Sequence, residues 1–357
     1  MFGILNFFLF LFATSMALGL INGWSYLVWV TPLLGLLPFW RKIAFFGTSD
    51  KRIDVAGRAV LITGCDAGFG HSLALRLFNL GFTVFATCLF PDGEGAQHLR
   101  QEAGSSRRLH VLKLDVTQDQ DVAEAKDFVL KNMPENGLWG LVNNAGIALC
   151  GPMEWISFDE CKKVIDVNIL GSIRTTLKFL PLIKKSQEQY PQVLEGYRSG
   201  RLIFMSSINA FIEIGNCFYC LSKTALEKCG DMLRYEVKNF GVKVSLIEPG
   251  NYAPATNIMP LYTVEQLWNK LDEENKASYS KKYLQSFVSI LNKQLKNGKH
   301  DSKEVIDAIT DALLNQRPKA RYLVATFKEK ILTYAFYYLP VFLKDLLYSL
   351  LVKIMTY

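Results

Sequence analysis

From Met1 to Trp40 the chain has no Lys, Arg, Asp, Glu or His, and its first charge is Arg41. A bilayer core of about 30 Å takes roughly 20 apolar residues as a helix. The block is therefore long enough for one tilted span plus an interfacial piece, or for a hairpin broken near Asn22-Gly23-Trp24. It lacks the basic first segment and small-residue cleavage site of a secretory leader, and the arginines of a mitochondrial transit peptide. Residues 1–40 are thus expected to be a transmembrane anchor and 41–56 a linker. Arg41, Lys42, Lys51 and Arg52 favour a cytosolic face for the chain beyond the block.

Other absences narrow the class. The seven cysteines are an odd number without framework spacing, and no N-x-S/T sequon occurs, so all are read as reduced thiols. Cys217 and Cys220 form a CxxC, but no second pair or His cluster completes a zinc site, so no metal is expected. The net charge is +7, yet no basic run carries interleaved aromatics, which argues against nucleic acid. A basic surface suits anionic lipid headgroups instead. With 50% hydrophobic and 20% charged residues the chain is too apolar for disorder.

What is present is an alternation. Short apolar runs at 58–62, 82–88, 109–114, 139–143, 201–206 and 242–247 are separated by helical patterns at His71–Asn79, Asp119–Asn132, Phe158–Lys185 and Ser222–Phe240. Repeated strand–helix units with nearly continuous apolar strands predict a doubly wound α/β fold, a Rossmann-type parallel sheet covered on both faces. Its ligand crevice lies beyond the carboxyl ends of the strands. Residues 186–200 read as a surface loop, 257–300 as amphipathic helices over the crevice mouth, and 303–316 as an amphipathic helix. An apolar piece occupies 321–325. The tail is apolar from Ile331 on, and a helix starting near Val341 would gather Lys344, Asp345, Ser349 and Lys353 on half its wheel, an interfacial profile.

Three motifs carry chemistry. Thr63-Gly64-Cys65-Asp66-Ala67-Gly68-Phe69-Gly70 comes directly after the first strand and opens a helix, and such a turn can cradle a pyrophosphate. Asn143-Asn144-Ala145-Gly146 ends the fourth strand, where small residues leave room for a flat group or simply form a turn. Tyr219-Cys220-Leu221-Ser222-Lys223 places a phenol and an ammonium on one helix face. The ammonium should lower the phenol's pKa, and such a phenol can exchange a proton with an alcohol oxygen. Tyr-x3-Lys occurs once among fifteen tyrosines, downstream of Ser206-Ser207 at a strand end.

These pieces in this order resemble the short-chain dehydrogenase/reductase family over roughly residues 57–325. The resemblance implies a nicotinamide cofactor loop of Thr63, Gly64, Gly68, Phe69 and Gly70, and a sheet-stabilising motif with Asn143, Ala145 and Gly146. It implies that Tyr219 is the acid/base, that Lys223 lowers its pKa and holds the ribose, and that Asn168 holds a proton-relay water. Ser207 would polarise the carbonyl by the Ser-x11-Tyr spacing of one branch; the spacing of many other members selects Ser206. Pro249 and Gly250 match a further cofactor segment. Pro254 stands where the family has a Thr, so a carboxamide contact moves to Thr256 or is lost. Several strings, among them Phe85-Ala86-Thr87-Cys88-Leu89 and Glu248-Pro249-Gly250-Asn251-Tyr252, look like a membrane-associated branch. That branch contains D-3-hydroxybutyrate, retinol and type 2 17β-hydroxysteroid dehydrogenases. A possible homo-oligomer and an endoplasmic-reticulum membrane location, with the catalytic domain in the cytosol, go with that likeness.

Cofactor and substrate are read from side-chain chemistry. The second strand ends on Thr87 and Cys88, and no Lys or Arg lies between 77 and 99, so NAD is favoured over NADP. Asp115 is a candidate adenine-edge acceptor, or a helix cap. The segment Ile208–Phe218 is apolar with one acid, Glu213, and no base. An unpaired buried carboxylate is costly, so a lipophilic secondary or allylic alcohol such as a steroid or retinoid fits better than a hydroxy acid. The rival readings are a D-3-hydroxybutyrate dehydrogenase with a cation from Lys270, Lys276 or Lys281, and a non-catalytic lipid-binding or scaffold protein.

Overall fold

The apolar runs form strands because Val, Ile, Leu and Phe fill a sheet buried on both faces. The computed structural model describes residues 51–185, 200–212, 217–256 and 258–356. The expected anchor at 1–40, the linker as far as residue 50, most of the 186–200 loop and Glu213 lie outside the described residues. The strands are β1 (Ala59–Ile62), β2 (Thr83–Cys88), β3 (Leu109–Lys113), β4 (Leu138–Asn143), β5 (Arg201–Met205), β6 (Lys243–Pro249) and β7 (Arg321–Val324). They form one sheet of order β3-β2-β1-β4-β5-β6-β7, with every pair parallel. The chain winds outward from β1 to β3 and returns to β4 beside β1, the switch point at which a crevice opens.

Alternate residues of each strand serve opposite faces. Val60 and Ile62 meet α1 (Gly68–Asn79), α2 (Glu94–Ala103) and α10 (Lys303–Leu314) through Leu73, Leu77, Leu99, Val305 and Ile309. Ala59 and Leu61 meet α3 (Asp119–Asn132), α5 (Ser172–Lys185) and α6 (Cys217–Glu236) through Val129, Phe179, Ile183 and Leu226. The helical run expected over 158–185 is divided: α4 (Phe158–Ile165) passes into a π-turn at Asp166–Gly171 before α5. Helix α2 was not expected, and the apolar piece at 321–325 is the edge strand β7.

The polar-amphipathic stretch forms α7 (Val264–Lys270), α8 (Glu273–Ser278) and α9 (Lys281–Lys296). Thr263, Asp272 and Ser280 cap them, accepting from the amides of Gln266, Asn275 and Tyr283. Leu267, Leu271, Leu284 and Val288 pack with Trp155 into a separate small core. The tail is α11 (Phe327–Tyr338) and α12 (Val341–Thr356), broken at Leu339-Pro340. Among the described residues no helix is long and apolar enough to cross a membrane. The last residues of the expected linker are fastened to the end of α10: the Ile53 amide donates to the Leu314 carbonyl (2.8 Å) and the Gln316 amide to that of Lys51 (3.0 Å).

At the amino end of the sheet Trp139, 1% exposed, lies between the guanidinium groups of Arg58 (4.1 Å from its ring) and Arg201 (4.7 Å). Its indole N–H donates to the Leu313 carbonyl (3.1 Å), tying β4 to α10. Trp139→Ala should cost about 3–5 kcal/mol of stability, the scale of a buried aromatic truncation. Denaturant unfolding measures this, and a loss below about 1 kcal/mol contradicts the packing argument.

Candidate functional site

The site begins at the turn from β1 into α1. Gly64 has φ +71°, and an added Cβ would sit 2.9 Å from the Ala145 Cα. A Cβ at Gly70 would collide with the Gly64 carbonyl and the Asn144 amide nitrogen. Only glycine therefore permits the turn to close on the end of β4. Asn144 staples it there: its side-chain amide donates to the Thr63 carbonyl (2.8 Å) and the Gly64 carbonyl (2.9 Å). The Thr63 hydroxyl in return accepts from the amides of Asn144 and Ala145, both at 3.0 Å. Gly68 lies against the Cα of Thr256 (3.0 Å from an ideal Cβ), joining the glycine turn to the segment after β6.

Above the strand ends lies a cavity of about 1690 Å³. That exceeds the roughly 300–1,000 Å³ of a single small-molecule pocket, so it has room for a dinucleotide and a second molecule. Of the residues expected in a site, Gly64, Phe69, Asp115, Ala145, Gly146, Ser207, Tyr219, Lys223, Pro249, Gly250 and Thr256 line it. Thr63, Gly68, Gly70, Thr87, Cys88, Asn143 and Asn168 stand outside the lining and act on its frame. Asn143 faces α5, donating to Thr176 (2.9 Å) and accepting from Thr175 (2.6 Å). Thr87 is buried and donates to the Ile62 carbonyl (3.1 Å), and burial pushes the Cys88 thiol up to about 12, where it is inert. Asp115 closes a local turn, accepting from the amide and hydroxyl of Thr117, and is not the cap of α3.

Tyr219 and Lys223 sit one turn apart on α6. The Ser207 hydroxyl lies beside the Tyr219 phenol and accepts from the Asn209 amide (3.2 Å), and Ser206 lines the cavity as well, its buried hydroxyl near Glu227. Lys223 is 3% exposed and donates from Nζ to the Met205 carbonyl (2.7 Å), its ammonium 5.4 Å from the Tyr219 ring centre. Burial pushes the Lys223 ammonium down to about 8, against an upward pull from Glu227. The expectation that Lys223 lowers the Tyr219 pKa is not met by the protein's own groups. Burial pushes that phenol up to about 12, with only Ser207 pulling it down. Asn168, fully buried in the π-turn, donates to the Ile147 carbonyl and to Ser222 (both 2.9 Å) and accepts from the Ile147 amide (2.9 Å). It thereby fixes α6 one residue before Lys223.

The far walls are apolar. Ile208, Ile212, Ile258, Met259, Ile290 and Leu332 line them, contributed by the Ser207 segment, the loop before α7, helix α9 and the tail. Phe211 turns away and stacks edge-on with Tyr337 at 5.3 Å. The three lysines considered as carboxylate partners are engaged elsewhere. Lys270 pairs with Glu160, Lys276 with Glu273, and Lys281 lies over the Trp268 ring, so none lines the cavity. Lys162, Lys163 and Lys293 line it instead, all on the exposed rim. Among the described residues no cluster of His, Cys, Asp and Glu could hold a metal ion.

Comparison with known proteins decides the family. The short chain dehydrogenase family model matches residues 58–261. The chain belongs to the short-chain dehydrogenase/reductase family. It is an oxidoreductase acting on CH–OH groups. It is 37% identical to the mitochondrial D-beta-hydroxybutyrate dehydrogenase of Rattus norvegicus, over 77% of this chain and 79% of that protein. It is 36% identical to retinol dehydrogenase 16 of Mus musculus, over 91% and 96%. Two solved structures share the fold. One is a short-chain dehydrogenase from Streptomyces avermitilis, at TM-score 0.60 and 23% identity over 83% of this chain and 94% of that one. The other is a Burkholderia phymatum member in complex with NAD, at TM-score 0.59 and 20% identity over 79% and 92%.

In this dehydrogenase two lining residues carry roles that the sequence alone does not assign. Asn144 belongs to a motif, but nothing in its spacing marks it as the staple of the glycine turn. Asp66 places its carboxylate under the amides of Leu89 and Phe90 (both 2.9 Å), just past the end of β2. Its partners lie more than twenty residues away, so nothing local signals them. The site fits a dinucleotide. The glycine turn admits a close-lying pyrophosphate, the first turn of α1 carries no acid to repel it, and an acid sits at the β2 end.

Proposed function

We propose that this dehydrogenase interconverts a lipophilic secondary or allylic alcohol, of steroid or retinoid class, and its ketone or aldehyde, using NAD(H). The observation that carries the reading is that Ser207, Tyr219 and Lys223 line one cavity together with Ile208, Ile212, Ile258, Met259, Ile290 and Leu332, a mostly apolar set with its other lysines on the exposed rim. A bound nicotinamide supplies the hydride acceptor for oxidation and the donor for reduction. In oxidation the Tyr219 phenolate oxygen takes the hydroxyl proton, and in reduction the phenol returns it to the carbonyl oxygen. Ser207 donates to that same oxygen, and Lys223 holds its ammonium against the Met205 carbonyl, ready for a ribose hydroxyl. Asn168 keeps α6 in register with the β4 end.

NAD is favoured over NADP by two features at the end of β2. Asp66 presents a negative charge where the fold receives the adenosine ribose, and no Lys or Arg lies between 77 and 99. The apolar tail supports a membrane as the source of substrate. Tyr338, Val341 and Phe342 are 69–72% exposed around the break between α11 and α12. We place the protein in the endoplasmic-reticulum membrane with its catalytic domain in the cytosol, on the uncharged block at 1–40 and the basic residues after it. Protease added to intact microsomes should then degrade the 57–325 region, and protection that persists until detergent is added would show a lumenal domain.

Tyr219→Phe removes the proton carrier and should cut turnover at least about a hundredfold. The wild-type phenol is held above its usual range, so the base form is scarce at neutral pH. Alcohol oxidation should therefore keep rising with pH from about 7 to 9, while ketone reduction, served by the protonated phenol, stays nearly flat over that range. A flat oxidation profile, or a Tyr219→Phe variant within a few-fold of wild type, removes Tyr219 from the role.

Substrate class is tested on the same protein. Burying a steroid- or retinoid-sized apolar surface at about 25 cal/mol per Å² yields several kcal/mol, which a four-carbon hydroxy acid cannot gather. The expected outcome is a kcat/KM at least about tenfold higher for a steroid or retinoid alcohol than for 3-hydroxybutyrate, with NAD+ preferred over NADP+. The reverse ranking assigns the chain a hydroxy-acid substrate, in keeping with the rat relative's name, and leaves the rim lysines Lys162, Lys163 and Lys293 as the candidates for its carboxylate partner. No NADH formed from any alcohol would support the non-catalytic reading.

A further inference from the structure

Helix α11 touches both halves of the site. On one side Phe336 is buried with Ile208, Ile212 and Ala325, against the wall just beyond Ser207. On the other, Glu329 in its first turn reaches the segment after β6. Glu329 Oε1 accepts from the Asn251 amide (2.8 Å), and Oε2 accepts from the amide (2.8 Å) and hydroxyl (2.7 Å) of Thr326, closing a capping box. The carboxylate lies flat against Gly250, where an added Cβ would stand 2.7–2.9 Å from its atoms. The Gly250 amide donates to the Val324 carbonyl (2.8 Å), so residues 250–251 are held from β7 and α11 together. Glu329 and Leu332, three residues on, both line the cavity, as do Pro249 and Gly250.

We infer that Glu329 is a positioning residue that latches the Pro249–Thr256 segment in its cofactor-holding shape. This rests on the proposal that the segment faces a bound nicotinamide dinucleotide. An amide in a turn has few ways to be satisfied, and a turn stripped of its acceptor samples other shapes. Here the acceptor comes from the tail, 78 residues downstream. The tail therefore acts on cofactor affinity without donating a group to the reacting atoms. Pro254 packs close to Gly298, and Gly68 meets Thr256, so movement at residues 250–251 is felt at the glycine turn.

The test uses the full chain and two readouts: NADH titration followed by tryptophan fluorescence, and hydrogen exchange of the 249–256 amides without dinucleotide. Glu329→Ala should weaken NADH binding by about five- to tenfold and speed exchange at 249–256. Glu329→Gln keeps an acceptor for the Asn251 amide and should bind within about twofold of wild type. Thr326→Ala removes the cap of α11 and the hydroxyl's bond to Glu329 Oε2 but leaves the Asn251 contact on Oε1, and should weaken NADH binding by no more than about twofold. Unchanged exchange in Glu329→Ala overturns the latch, as does a Thr326→Ala variant that loses as much affinity as Glu329→Ala. Wild-type protein that binds no NADH overturns the cofactor reading instead, and the exchange data still decide the latch.

Discussion

The closeness of backbone to backbone where β1 turns into α1 is the constraint on which the site depends. Asn144 supplies two hydrogen bonds across the gap, to Thr63 and Gly64, and the Thr63 hydroxyl returns two to the β4 end. With Gly68 against Thr256, three separate segments meet within van der Waals distance. A methyl group inserted at Gly64 or Gly70 would have to push backbone aside, and packed backbone gives little. The mouth of the cavity is thus set by contacts among main-chain atoms, and the side chains above it vary the chemistry on a fixed frame.

The sheet was legible because period and composition agreed in it. Strands buried on both faces leave continuous apolar runs, and six of the seven were readable as such. The exception, β7, is a four-residue edge strand that a bare apolar run does not distinguish. Helix α2 was missed because only Ala96 and Leu99 are buried in ten residues, too few for a periodic signal. The π-turn at Asp166–Gly171 hides inside an unbroken helical pattern, since neither Gly nor Pro marks its start. At the site, local spacing gave the Tyr219–Lys223 pair and position after β1 gave the glycine turn, while the resemblance chose Ser207 over Ser206. The carboxylates of Asp66 and Glu329 were invisible for one reason. Their distant partners, the amides of Leu89, Phe90 and Asn251, are brought near by the fold, and the Thr326-x2-Glu329 spacing announces a helix cap and nothing of Asn251. The lysines at 270, 276 and 281 failed as cavity cations because a helix surface offers them acids and rings closer at hand.

The same arithmetic of spacing explains how α6 tolerates a buried lysine. Tyr219, Lys223, Glu227 and Asp231 recur every four residues and so share one helix face. Arg321 on β7 meets its lower end, pairing with Glu227, Glu248 (2.7 Å) and Asp231 (2.7 Å). Desolvation pushes three of them toward neutrality: Glu227 and Glu248 are raised, Glu248 to about 7, while Lys223 falls to about 8. The partners oppose this, Glu227 pulling Lys223 up and Arg321 holding the carboxylates down. Desolvation wins at Lys223 because its one strong neighbour is a carboxylate already shared with Arg321. A buried array of this kind is weak evidence of stability, since apolar residues of equal volume would pack there at lower cost. Its persistence is better explained at the upper end, where the array delivers a lysine that can still carry charge to the floor of the cavity. Without Glu227 behind it, burial alone would leave Lys223 neutral more of the time.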